Sequence, residues 1–254
     1  MKHLGLCLIA ILSLFSSQKV FSQQPSAQEI INNAYKLTLG DKSHIVANMT
    51  IIRPDTTKHL AFEGWYEDEE NALIYIKEPA SEAGTRFLKV QDSIWEFHQK
   101  LFQLKSIDSR DYNNSWMGSD FSFNDILKNN NLRFNYTFTF LENVQYLGFD
   151  CYQIKLDPKP EIFSVWTSVI MYISTQENMI LSAKFYKWDG QPIKELNVLS
   201  VEDFDFRTLP QKIEMVNMEK KGFKSILSLE SVRFHDIRFK KDFFTVKSFE
   251  KFIP

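Results

Sequence analysis

The chain has few of the residues that staple or punctuate a fold. Its 254 residues include two cysteines, Cys7 and Cys151, with eight glycines and eight prolines. Cys7 lies in an N-terminal leader, so the mature chain keeps one thiol and no internal disulfide can form. The apolar core must hold the fold by itself, and Cys151 reads as a small buried side chain within it. Repeats, low-complexity tracts and Pro/Ser-rich linkers are also missing, which predicts a single domain from residue 23 to residue 254.

Long hydrophobic runs are lacking too. The one near the start, Leu4 to Phe15, is twelve residues long, against the roughly 20 needed to span a bilayer. Lys2 precedes it, and Val20 and Ser22 supply the small-residue pattern of a cleavage site. Residues 1–22 therefore read as a secretory signal peptide cut after Ser22, and Cys7 is too early to carry a lipid anchor. No charge of one sign dominates either. The 30 basic residues less Lys2 and Lys19 leave 28 against 32 acidic ones, so nothing attracts nucleic acid or an anionic surface.

Catalytic signatures are missing as well. His44, His59, His98 and His235 are scattered, with no HxxxH or HExxH spacing, and there is no GxSxG elbow or phosphate-binding glycine loop. The expectation is a protein that is not an enzyme and needs neither cofactor nor metal.

Aromatic residues are abundant, with 23 Phe and 5 Trp. "SAQEIINNAYKLT" opens with a capping box, Ser26 and Glu29, and predicts a short helix with Ile30, Ala34 and Leu37 on one face, ending near Gly40. Alternation then takes over. "HIVANMTIIRP" puts Ile45, Ala47, Met49 and Ile51 on one face, and "HLAFEGWYED" puts Leu60, Phe62 and Tyr66 opposite Glu63, Trp65 and Glu67. Further strands follow to "SVRF", with hairpin turns at Asp189-Gly190 and Lys221-Gly222. The pattern predicts a mainly β fold. About ten or eleven antiparallel strands, with two helical interruptions, form one strongly curved sheet or an unclosed barrel.

The strand pattern breaks at residues 106–131. "NNSWMGSDFSFNDIL" gathers Trp116, Met117, Phe121 and Phe123 among polar residues. Ser122 and Asp125 form a second capping box, and Phe121 can staple against Ile126. A helix of about two turns is unstable alone in water, so it must dock on the concave apolar face as a lid. Gly118 frees the backbone to turn before it. Asp108, Arg110 and Asp111 read as a polar rim, or as an ion pair latching the lid. Two readings follow: the lid plugs an ordinary core, or lid and sheet together enclose a cavity.

Six segments, "MTIIRP", "GTRFLKV", "SWMGSDFSFNDIL", "CYQIKLDPKP", "FYKWDGQPIKEL" and "TLPQKIEM", resemble in this order those of outer membrane lipoprotein-sorting proteins. The resemblance covers nearly all of the mature chain, and its central motif is Ser115 to Phe121. It implies an unclosed antiparallel β-barrel, similar to the periplasmic lipoprotein carrier, with helices covering a concave apolar face. It also implies a periplasmic protein that binds lipid or the acyl chains of lipoproteins and moves them toward the outer membrane. An inner-membrane transporter or exporter would be its partner. The alternative class is an envelope sensor or exporter-associated adaptor that recognises lipid or peptide in the same cavity. The lid positions that match are Trp116, Met117, Phe121 and Phe123. The apolar strand faces supply Met49, Phe62, Trp95, Phe97 and Phe185 as candidate lipid-binding wall.

Overall fold

The computed structural model describes residues 24–127, 131–162, 164–235 and 237–254. The signal peptide read at 1–22 lies outside the described residues.

The fold opens with α1 (Ala27–Leu39), whose capping box forms as read: Ser26 Oγ accepts from Glu29 N while the Glu29 carboxylate accepts from Ser26 N. Two meanders follow. The first comprises β1 (Lys42–Arg53), β2 (Thr56–Glu67), β3 (Asn71–Glu78), β4 (Arg86–Val90), β5 (Ser93–His98) and β6 (Gln103–Ile107). After an irregular segment holding α2 (Phe123–Ile126) and α3 (Asn131–Asn135), the second runs through β7 (Tyr136–Tyr146), β8 (Phe149–Pro158) and β9 (Ser168–Ser174). It continues with β10 (Ile180–Tyr186), β11 (Pro192–Phe204), β12 (Arg207–Asn217) and β13 (Lys224–Arg233), and α4 (Val246–Phe249) closes the chain.

All thirteen strands share one sheet, in the order β6-β5-β4-β3-β2-β1-β13-β12-β11-β10-β9-β8-β7. Antiparallel pairing of β1 with β13 is the seam that joins the two meanders. β6 and β7, consecutive in the chain, end up as the two free edges. The barrel is unclosed, as read, and the segment between those strands has to cross the gap.

The strand count exceeds the expected ten or eleven, in part because "SIWEFHQKLFQLK" folds as two strands. Their turn is a short 3-10 stretch, Gln99–Leu101, closed by Phe102 in the left-handed region at φ 48°. A phenylalanine there gives no sequence signal, because glycine or asparagine is the usual occupant.

The alternation of β1 and β2 is borne out. Ile45, Ala47, Met49, Ile51, Leu60, Phe62 and Tyr66 are all buried in the concave core. Gly64 shares that face, where an added Cβ would come 2.7 Å from the Tyr66 ring. With no side chain at 64, the ring can lie back over the strand. α1 packs Ile30, Ile31 and Ala34 onto the strands of the second meander, in a separate cluster with Ile154, Met171 and Phe185.

The convex face of β3–β5 is also covered, by the C-terminal segment. Phe249 is fully buried among Leu73, Leu88 and Phe97. Arg86 anchors it, donating from Nη2 to Glu250 O (2.9 Å) and Gln99 Oε1 (2.7 Å), with its guanidinium 4.5 Å from the Phe97 ring centroid.

Candidate functional site: a cavity between sheet, helix and lid

The lid begins with the loop "SWMGSDFS". Ser115 and Ser122 bridge its base, Trp116 N donates to Phe121 O (2.8 Å), and Ser119 Oγ donates to Trp116 O (2.7 Å). Met117 and Gly118 turn its tip with φ of 53° and 83°. Nothing lies within 4 Å of a Cβ built on Gly118, so backbone conformation rather than space makes glycine the suitable residue there. The second capping box also forms as read, with Ser122 Oγ accepting from Asp125 N and Asp125 Oδ2 accepting from Ser122 N.

Half of the lid is a plug. Trp116 is fully buried, with its ring centroid 5.3 Å from that of Phe62 and 5.5 Å from that of Phe87. Phe123 stands edge-on to Phe87 at 5.9 Å, and Met117 packs against the same core.

The other half roofs a cavity of about 450 Å³. Ile45 and Ala47 of β1, Phe62 of β2 and Phe185 of β10 line it from the sheet; Tyr35 lines it from α1 and Ile126 from the lid. That volume falls in the range of about 300–1,000 Å³ typical of small-ligand sites. The plug and the cavity expected as alternatives from sequence thus exist side by side.

Several polar fastenings hold the lid. Arg53 Nη1 donates to Asp120 Oδ2 (2.8 Å) and Nη2 to Gly118 O (2.6 Å), while Ser225 Oγ donates to Asp120 Oδ2 (2.6 Å). Tyr66 Oη donates to Ile126 O (3.2 Å), and the Arg133 guanidinium pairs with the Glu69 carboxylate. On the cavity wall, Lys194 Nζ lies 2.7 Å from Asp125 Oδ2. Burial pushes the Asp125 carboxyl up, but the Lys194 charge and the bonds from Lys194 and Ser122 outweigh this and hold it below the usual carboxylate range. Arg110 and Asp108 do form an ion pair, but it is local and exposed and ties the lid to no strand.

Phe62, Phe121 and Phe185 of the sequence-predicted set line the cavity. Met49 sits in the core that the plug seals, together with Trp116, Met117 and Phe123. Trp95 and Phe97 are placed differently from the reading: they lie on the convex face beneath Phe249 and Phe252. On β5 it is Ile94 that faces the concave core. Sequence reasoning missed the Arg53–Asp120 fastening and Lys194, whose partners are 67 and 69 residues away.

Residues 68–251 match a family model described as "Uncharacterized protein". The chain belongs to this family. Among curated proteins nothing matches. Solved structures resemble it closely. A DUF1329 family protein from Desulfovibrio piger superposes with a TM-score of 0.78 at 18% identity, over 88% of this chain and 97% of that one. A putative outer membrane lipoprotein-sorting protein domain from Vibrio parahaemolyticus gives 0.75 at 18%, over 88% and 98%. A LolA superfamily protein from Nitrosomonas europaea gives 0.73 at 20%, over 88% and 99%. At these identities the likeness establishes the fold alone, an unclosed antiparallel β-barrel.

Proposed function

We propose that this protein is an exported, periplasmic carrier, not an enzyme. It takes lipid, or the acyl chains of lipoproteins, into the cavity beneath the lid and carries them toward the outer membrane, receiving them from an inner-membrane transporter or exporter. The observation that supports this most is the cavity of about 450 Å³, walled by apolar side chains in a lipoprotein-sorting type of fold.

The energetics suit one acyl chain in the closed form. Each methylene shielded from water is worth about 0.8 kcal/mol, so a chain of about 15 methylenes yields nominally about 12 kcal/mol. Three chains would nominally exceed the practical ceiling of about 20 kcal/mol for non-covalent binding, and release would be too slow to be useful. A multi-chain cargo therefore has to displace the Trp116 plug. Unseating that ring from Phe62 and Phe87 offsets part of the binding energy and keeps release possible.

The test is mass spectrometry of protein extracted from its native compartment, with Ala47→Phe as a comparison. Ala47 lines the cavity from β1, so a phenylalanine there fills the space without crossing the sheet. Acyl lipid bound to the wild type and missing from the folded variant is expected. Lipid-free wild-type protein that also fails to take up acyl chains in vitro would refute the carrier reading.

A further inference from the structure

The cavity wall is apolar apart from hydroxyls and amides, and among the described residues it carries one cation and one anion, Lys194 and Asp125. The Lys194 side chain is 13% exposed. An ammonium is a strongly hydrated point charge with three donors. Asp125 Oδ2 takes one of these at 2.7 Å. No hydrogen bond from Nζ to another oxygen of the described residues is formed, and two ring faces lie nearby, Phe185 at 5.6 Å and Trp166 at 6.0 Å from Nζ to centroid.

Asp125 is less dependent on the pair. The same Oδ2 also accepts from Ser122 N (2.7 Å) and Ser122 Oγ (2.7 Å), so two capping bonds remain if Lys194 turns away. The geometry provides a cation with donors to spare inside a greasy cavity, next to an anion that can let it go.

We infer that Lys194 reads the headgroup of the guest, and that the cargo is an amphiphile ending in an anionic oxygen group, a carboxylate or a phosphate. This rests on the carrier reading and narrows it. The acyl chain lies along Ala47, Phe62 and Leu227, and the anionic head takes the free donors of Lys194. As Lys194 shifts toward the guest, its ion pair weakens, the only one among the described residues that joins α2 to the sheet. Loading is thereby coupled to loosening of the lid.

The experiment needs no variant in its first arm. Binding of the fluorescent fatty acid cis-parinaric acid is compared with that of its methyl ester, which has the same chain without the charge. Lysophosphatidic acid is compared likewise with the monoacylglycerol of the same chain. Wild-type protein is expected to prefer the charged member of at least one pair by about tenfold, the scale of a charge-assisted hydrogen bond. The pair showing the preference tells a carboxylate cargo from a phosphate one.

In the second arm, Lys194→Met is expected to bring the charged ligand down to the affinity of its neutral counterpart, and Lys194→Arg to restore the gap. Equal binding of charged and neutral members by the wild type would overturn the inference while leaving the carrier reading intact. A parallel loss of both members in Lys194→Met would also overturn it, because Lys194 would then only hold the lid. Failure of all four ligands to bind would remove the carrier reading itself.

Discussion

Arg53 Nη1 and Asp120 Oδ2 lie 2.8 Å apart, joining the end of β1 to the tip of the lid across 67 residues of sequence. Their side chains are 17% and 6% exposed, and Ser225 of β13 completes the cluster by donating to the same Asp120 oxygen. Removing the arginine leaves a carboxylate with one hydroxyl donor in a nearly dry site. Arg53→Ala is therefore expected to cost about 3 kcal/mol, read as a lowered urea midpoint at unchanged slope. Amides of Trp116 to Phe121 should exchange faster with solvent in the same variant.

The plug and the convex seal should separate stability from binding. Trp116→Ala and Phe249→Ala each remove a fully buried ring, with an expected loss of about 3–5 kcal/mol apiece in denaturant unfolding. They differ in what they leave. Trp116→Ala opens space next to the cavity and should admit bulkier acyl ligands, whereas Phe249→Ala on the opposite face should leave ligand affinity unchanged. Equal binding profiles for the two variants would show that the plug does not limit the volume.

Acid should loosen the lid through Asp125. Its folded-state value is held below that of the unfolded chain, so its stabilisation is fully present above about pH 4 and disappears as pH falls through the lowered value. Wild-type stability should fall over that acid window, and Asp125→Asn should give a flatter profile there. The readout is the urea midpoint against pH for the two proteins.

Cys151 should be chemically silent until the sheet opens. Its thiol is buried, and burial pushes its pKa up to about 11. At pH 8 about one molecule in a thousand carries the thiolate. Iodoacetamide labelling of the native protein is expected to be very slow, and to rise to the rate of an ordinary thiol in urea.

What the sequence showed, and what it hid, follows from the range of the interactions. Periods of two and local caps are short-range, so the concave faces of β1 and β2 and both capping boxes were legible from residues a few positions apart. Trp95 and Phe97 went to the wrong face because alternation fixes which residues share a side but not which side faces inward. β5 misleads further: its convex face is itself buried, by a C-terminal segment more than 140 residues downstream that shows no strand pattern. Lys194 went unnoticed because no local pattern marks it, and only the folded sheet brings it against Asp125.

The order of strands has a mechanical consequence. Since β6 and β7 are the free edges of the sheet and are joined through residues 108–135, that segment acts as the string of a bow whose limbs are the two meanders. A guest that spreads the limbs would lengthen the span the string has to cross, and release of the Lys194–Asp125 pair gives the string the slack to follow. Spin labels on exposed positions of the two edge strands should thus record a longer separation in the loaded protein than in the empty one.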